Sequence, residues 1–129
     1  MNTNATFKIT GWDEEPFDES EDGSKLTRAH ITRSFHGDLT GTGNLMYVMS
    51  HLSSGVASFA GFEKVEGALG GLTGSFVLRH SGVYDGGQAT AEYEVVPGSG
   101  TGELAGLSGT GSYSAGQAEE HDMTLEYEL

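Results

Sequence analysis

The 129-residue chain carries 19 acidic and 6 basic side chains, a formal net charge of −13, and it contains no cysteine. This composition excludes disulfides, thiolate metal sites and a cysteine nucleophile, and the negative charge disfavours nucleic acid and anionic lipid surfaces as partners. Because no apolar run reaches the length of a membrane span, we expect one soluble, cytoplasmic domain over residues 1–129.

The pattern along the chain predicts short strands joined by tight turns, because 21 glycines and 2 prolines separate β-branched and aromatic residues. Period-2 alternation predicts strands over residues 6–12, 25–36, 39–50, 56–66, 71–80, 88–96, 103–112 and 122–127. The acidic run from Asp13 to Asp22 is predicted to be a solvated loop. About eight strands can close around one small ligand, so the predicted fold is all-β, a single antiparallel β-barrel.

Hand registration of the strands predicts which side chains point into the barrel. A hairpin that turns at residues 68–69 pairs Glu63 with Gly74, and the face opposite to Lys64 and Arg79 is then the inner one. Extension through turns at residues 53–55 and 37–38 adds inward residues on the two preceding strands. The predicted inner face includes Leu26, Arg28, His30, Thr32, Gly43, Leu45, Tyr47, Met49, Ala57, Phe59, Gly61, Glu63, Gly74, Phe76, Leu78 and His80.

The same registration predicts a ligand cavity and a subunit interface. Gly43, Gly61 and Gly74 contribute no side chain to the lumen, so a cavity is expected beside them, suited to a small apolar or amphipathic molecule. An outward apolar set predicts a homodimer or higher homo-oligomer, and it comprises Ile31, Phe35, Ala60, Phe62 and Val77. The predicted ligand-binding residues are Trp12, Glu14, Arg28, Tyr47, Phe59, Phe76, Leu78 and Tyr93.

Acid–base chemistry is assigned to three candidate catalytic residues, Glu63, His30 and His80. An apolar lumen disfavours a charged carboxylate, which predicts a raised pKa for Glu63. The register separates Glu63 from His80 by about 20 Å, so His30 is the expected partner of Glu63. A structural alternative stays open, in which Glu63 and Arg28 form a buried ion pair and His80 is a satisfied wall histidine. The scattered histidines predict neither a metal site nor a cofactor.

Several short segments, in order along the chain, carry a family resemblance, and they are Gly11 to Glu14, Phe35 to Asp38, Gly61 to Glu63 with Gly67, Gly74 to His80, and the glycine-proline segment Val95 to Leu107. These segments resemble a bacterial family catalogued only as domain-of-unknown-function family 3224. His36 and Met49 depart from the family pattern. The resemblance implies a barrel similar to that of allene oxide cyclase, a cofactor-free enzyme that closes a ring in a lipid epoxide, and to related dirigent-like barrels.

Three functions are compatible with these observations. The first is a small-molecule-binding barrel that acts as a cofactor-free isomerase or cyclase through Glu63 or a histidine. The second is a non-catalytic carrier or sensor of an apolar molecule. The third is a structural subunit with a packed lumen, in which bulky side chains fill the space beside the three inner glycines.

Overall fold

The computed structural model describes residues 1–129 and consists almost entirely of eight β-strands. A 3₁₀ turn at Gly102–Leu104 lies between the sixth and seventh strands, and no helix in the molecule is long and apolar enough to cross a bilayer. The strands are β1 Asn2–Glu19, β2 Lys25–Gly37, β3 Leu39–His51, β4 Ala57–Leu69, β5 Leu72–Asp85, β6 Gln88–Val95, β7 Ser108–Ala115 and β8 Glu120–Glu128.

The strands form one closed antiparallel barrel in which each strand pairs with the next and β8 pairs with β1. Buried and exposed side chains alternate along most strands, as expected when one face lines the core and the other meets water. The predicted fold class and the approximate number of strands are therefore confirmed.

The two ends of the barrel differ. At one end, which we call the closed end, the β2–β3 and β4–β5 turns lie near the buried side chains of Leu104 and Leu107 from the β6–β7 connection. These leucines belong to a cluster of 15 buried residues that packs the lumen there. A smaller cluster of 8 buried residues lies toward the other end, which we call the open end.

Several predicted strand boundaries are wrong, and two of these errors change the assignment of a segment. The acidic run is not a loop up to Glu19, because β1 continues through it and pairs with β2. β1 pairs with β8 only as far as Lys8, so the later part of β1 is a sheet edge, where exposed charges are favoured. The seventh strand begins at Ser108 rather than Glu103, since the preceding residues form the 3₁₀ turn and its connection.

The predicted register between β4 and β5 is displaced by four residues. The hairpin turns at Gly70-Gly71, not at residues 68–69, so Glu63 pairs with Leu78 and Gly61 with His80. An even displacement preserves which face each side chain occupies. The inward assignment of β4 and β5 is therefore correct although the pairs are wrong.

The predicted faces of β2 are inverted. A single residue, Asp38, separates β2 from β3, and Phe35 pairs with Gly41, whereas the prediction assumed a two-residue turn. A displacement by one residue moves every side chain to the opposite face. Arg28 and His30 are consequently exposed, and Ile31 and Phe35, predicted to point outward, are buried in the core.

Candidate ligand-binding site

A buried ion pair joins β2 to β4 in the middle of the barrel. Arg33 donates from Nε to Oε2 of Glu63 at 2.7 Å and from Nη2 to Oε1 at 2.5 Å. The side chains are 2% and 0% exposed, respectively. Two parallel hydrogen bonds of this kind fix both the position and the orientation of the carboxylate.

Aromatic rings surround the guanidinium group of Arg33. Its central carbon lies 4.4 Å from the ring centroid of Phe7, 5.1 Å from that of Phe35 and 5.6 Å from that of Tyr113. Cation–π attraction is strongest where water is excluded, as it is here. The rings therefore offset part of the cost of burying this charge.

A chain of polar side chains continues from Glu63 through His80 to two tyrosines. His80 Nε2 lies 3.0 Å from Glu63 Oε1, and its Nδ1 lies 3.5 Å from the hydroxyl of Tyr47. The Tyr47 hydroxyl is 3.0 Å from that of Tyr113. No buried side-chain nitrogen or oxygen atom lacks a hydrogen-bond partner, so the network is satisfied.

The surroundings of each group determine its protonation. Burial opposes ionisation of Glu63, but Arg33 and His80 outweigh burial and lower its pKa to about 2. Burial lowers the pKa of His80 despite the carboxylate beside it, and burial raises the pKa of both Tyr47 and Tyr113. Glu63 is thus an anion and the other three are neutral near pH 7.

A mainly apolar cavity of about 260 Å³ lies between these hydrogen-bonded polar side chains and the open end of the barrel. Arg33, Tyr47 and Tyr113 form its inner end, which we call the floor, and the exposed side chains of Ile9 and Trp12 stand at its outer end, the mouth. The full lining comprises Phe7, Ile9, Trp12, Glu14, Ile31, Arg33, Leu45, Tyr47, Met49, His51, Phe59, Tyr84, Ala89, Tyr113 and Ala115.

A second polar cluster stands at the mouth. Glu14 accepts hydrogen bonds from Trp12 Nε1 at 3.0 Å and from Thr27 Oγ1 at 2.7 Å, and it lies 2.7 Å from His51 Nε2. Partial burial opposes ionisation of Glu14, but these hydrogen bonds and the imidazole lower its pKa. The cluster fixes the indole of Trp12 against the mouth. No group of three or more His, Asp or Glu side chains in the molecule is arranged to hold a metal ion.

The family model described as Protein of unknown function (DUF3224) matches residues 3–127. The chain belongs to this family. A solved structure of a family member of unknown function from Shewanella oneidensis MR-1 is similar over 100% of this chain and 96% of that chain. The two share 29% sequence identity, with a TM-score of 0.86. No curated protein matches the chain.

In this member of the DUF3224 family, the cavity does not lie beside the glycines that predicted it. A Cβ atom at Gly43 would approach Glu63 Oε2 to 2.2 Å, so the carboxylate occupies that space. A Cβ atom at Gly74 would meet the backbone oxygen of Thr101 at 2.1 Å. The inner glycines accommodate neighbouring groups, and the lumen is packed there but hollow toward the open end.

The predicted ligand-binding residues separate into three groups. Trp12, Glu14, Tyr47 and Phe59 line the cavity. Phe76, Leu78 and Tyr93 are buried in the core toward the closed end, where Tyr93 donates its hydroxyl to the backbone oxygens of Ser112 and Thr124. Arg28 is exposed and does not line the cavity. Its inward position was predicted from a register that assigned the two faces of β2 the wrong way round.

The candidate catalytic residues are also placed differently from the prediction. Glu63 and His80 are in direct contact rather than about 20 Å apart, because the corrected register makes them diagonal neighbours. His30 lies outside the barrel, with its Nε2 2.6 Å from Asn44 Oδ1. The residue that forms the ion pair with Glu63 is Arg33. The pKa of Glu63 is lowered, not raised. No observation tests whether Glu63, His30 or His80 is catalytic, and that assignment stays a prediction.

Sequence reasoning missed Arg33 and Tyr113. Arg33 lies in the alternating pattern Ala29, Ile31, Arg33, Phe35, and this apolar alternation was the available signal that its side chain points inward. Tyr113 stands in a segment of glycine, serine and threonine, where a lone aromatic residue is the natural candidate for the core.

Proposed function

We propose that this protein binds one small, mainly apolar molecule in the open-end cavity. The observation that carries the proposal is a preformed hollow lined by 12 hydrophobic residues out of 15, with Arg33, Tyr47 and Tyr113 at its floor. Ligand sites combine apolar walls with a few fixed polar groups, and this cavity has that composition. Its volume, below the range of about 300–1,000 Å³ typical of such sites, favours a compact ligand.

Binding without chemistry agrees best with the electrostatics of the polar chain. Glu63 is held as an anion by Arg33, and it does not line the cavity. A general base needs a pKa near the working pH and direct access to its substrate. The carrier or sensor function is therefore preferred over an isomerase or cyclase that uses Glu63.

Catalysis by another group is the second candidate, and the hydrogen-bonded sequence Tyr113, Tyr47, His80 favours it. Tyr47 lines the cavity between Tyr113 and His80, so a fixed hydroxyl dipole stands close to the ligand and can stabilise charge that develops on it. A resemblance to the allene oxide cyclase barrel, in which an apolar lumen confines the substrate, also favours this second candidate. If the purified ligand is converted to an isomer, Tyr47→Phe should abolish conversion while retaining binding.

Native mass spectrometry of protein purified without detergent tests ligand binding directly. We expect a fraction of the molecules to carry one additional small mass that organic solvent releases. Such a mass would identify the ligand class. Protein that carries no extra mass and also fails to bind added apolar compounds would contradict the proposal.

The single tryptophan, Trp12, provides a second test because it stands at the mouth. Menthol, a compact apolar alcohol, should shift or quench its fluorescence with a saturating dependence on concentration. Ala89→Phe places a ring in the cavity and should remove this response. Ala105→Phe adds the same ring to an exposed position in the β6–β7 connection, at the closed end, and serves as the matched control. Equal responses in both variants would place binding elsewhere.

A further inference from the structure

The direction of each hydrogen bond in the polar chain follows from its buried ion pair. Glu63, bound bidentately by Arg33, is a carboxylate and can only accept. His80 Nε2, 3.0 Å from Glu63 Oε1, must therefore carry a proton and donate it. The tautomer of His80 is fixed by this contact.

His80 carries no second proton. Arg33 and Glu63 already neutralise each other, and the imidazole is 1% exposed. A further positive charge beside the guanidinium would be buried without a counter-ion, which is costly. His80 Nδ1 is consequently an acceptor, and its one side-chain neighbour with a proton to give is the hydroxyl of Tyr47.

The next hydrogen bond of the network joins Tyr47 to Tyr113 at the cavity floor. A buried acceptor without a donor is costly. The arrangement that gives His80 Nδ1 a donor has Tyr47 donating to it across 3.5 Å and accepting from Tyr113 across 3.0 Å. Tyr113 has no other side-chain hydrogen-bond partner, and it lines the cavity. Its hydroxyl proton is engaged with Tyr47, and a hydroxyl oxygen has two lone pairs. Tyr113 can therefore accept a hydrogen bond from a ligand that reaches its hydroxyl without breaking one.

We propose that the ligand presents a hydrogen-bond donor to Tyr113, and that the chemical class taken by this cavity is an apolar alcohol rather than the corresponding ketone. The inference rests on the proposed function and specifies its ligand. A hydroxyl adds one hydrogen bond to an intact chain. A carbonyl oxygen must take the proton of Tyr113 from Tyr47, which costs the network one hydrogen bond. Either the two hydroxyl oxygens then face each other without a proton between them, or Tyr47 turns its proton to Tyr113 and leaves His80 Nδ1 without a donor.

Menthol and menthone test the preference, because they share a carbon skeleton and differ in a hydroxyl against a carbonyl. Trp12 fluorescence titrations should give tighter binding of menthol, by roughly three- to tenfold, the value of one hydrogen bond. Tyr113→Phe should bring the ratio of the two dissociation constants close to one. Tyr84→Phe removes a hydroxyl from another cavity-lining tyrosine, which is not part of the hydrogen-bonded polar network, and should leave the ratio unchanged.

The outcomes distinguish the inference from the function on which it rests. Equal binding of the two probes, or tighter binding of menthone, would overturn the donor preference while leaving ligand binding in place. Failure of both probes, together with the absence of any retained mass, would overturn both. A preference for menthol that survives in Tyr113→Phe would overturn the assignment to Tyr113. Circular dichroism of both variants establishes that each is folded.

Discussion

The side chains of Arg33 and Glu63 occupy the centre of a barrel that is otherwise filled by apolar groups. Moving two charges out of water is expensive, and their attraction repays the cost only when geometry and additional hydrogen bonds are favourable. Here the pair is bidentate, His80 donates to the carboxylate and three aromatic rings face the guanidinium. The cost of burying each charge is therefore offset only while its partners are present.

Removal of one member of the pair should therefore be far more harmful than removal of both. We expect Arg33→Met to lower the free energy of unfolding by roughly 3–5 kcal/mol, because it leaves a buried carboxylate without its main partner. Adding Glu63→Gln should recover part of the loss, since the amide oxygen still accepts from His80. Urea unfolding of the single and double variants measures this coupling.

Arg79→Met is the control for the loss of an arginine. Its side chain is 62% exposed in its ion pair with Glu94, so the expected change is below about 1 kcal/mol. If Arg33→Met were no more harmful than Arg79→Met, the buried pair would not stabilise the fold.

The same pair makes a defined contribution to acid sensitivity. Arg33 and His80 lower the pKa of Glu63 from 4.5 to about 2, so the folded state favours the ionised form. The resulting stability is complete above about pH 5 and is lost as the pH falls from 4.5 towards about 2. The difference in unfolding free energy between the wild type and Glu63→Gln should shrink over this interval.

Urea unfolding of both proteins at a series of pH values gives that difference, and the subtraction removes the common effect of the other carboxylates. A difference that stays constant down to pH 2 would contradict the lowered pKa. Folded protein must be present at the lowest pH for the comparison, which circular dichroism verifies.

The inward position of a residue could be predicted from the sequence where both its residue type and the alternation along its strand indicated that its side chain points into the barrel. Glu63 stands among apolar residues at inward positions of β4, so its burial could be inferred. Arg33 occupies an equivalent place on β2 but was assigned to the outside, because that assignment depended on the length of one turn. Polar contacts across a lumen depend on the register of every strand between them.

At the scale of elements, short connections determine which residues face one another. The Gly70-Gly71 turn has φ angles of +57° and +85°, close to those of the type I′ turn that suits the twist of two-residue hairpins. The β2–β3 connection is one residue shorter than expected. Displacing one turn by an even number of residues changed the pairs on β5, whereas the odd displacement inverted β2.

Gly71 provides a test of the β4–β5 turn, because a Cβ atom there would meet nothing within 4 Å. We expect Gly71→Ala to lower the free energy of unfolding by about 1 kcal/mol, the cost of a left-handed conformation for alanine. Gly71→Asn should cost less, since asparagine tolerates this region. Thermal or urea unfolding gives both values.

The control for this substitution is Gly116→Ala in the β7–β8 connection. Gly116 has equally open space around it but no positive φ, so alanine should be neutral or slightly stabilising. Equal effects at the two glycines would mean that backbone conformation does not account for Gly71.

The molecule as a whole divides its lumen into a packed half and a hollow half. The closed barrel was predictable from alternation, turn residues and strand number, which are local properties of the chain. The position of the cavity was not, because Glu63 fills the space above Gly43 and the β6–β7 connection fills the space beside Gly74. Which neighbour enters the space left by a glycine is decided by side chains distant in sequence.

The outside of the barrel bears an apolar face on β3 and β4, comprising Met46, Val48, Ala60 and Phe62. Met46 pairs with Phe62 and Val48 with Ala60, so the four are contiguous, and the side chain of Phe62 is 56% exposed. Exposed cations border this face, and they are Arg28, Lys64 and Arg79. In a protein of net charge −13, an apolar face bordered by cations opposes self-association less than the acidic remainder of the surface does.

We therefore expect a homodimer that buries this outer face, detectable by light scattering as twice the chain mass of 13.5 kDa. Phe62→Lys should shift the protein to the monomer, because it places a charge at the centre of the contact. Thr124→Lys adds the same charge to an exposed position on β8, on a different part of the barrel, and should leave the dimer intact. Higher ionic strength should strengthen association by screening the remaining repulsion between acidic copies. A monomer at all salt concentrations would show that the apolar face does not mediate self-association.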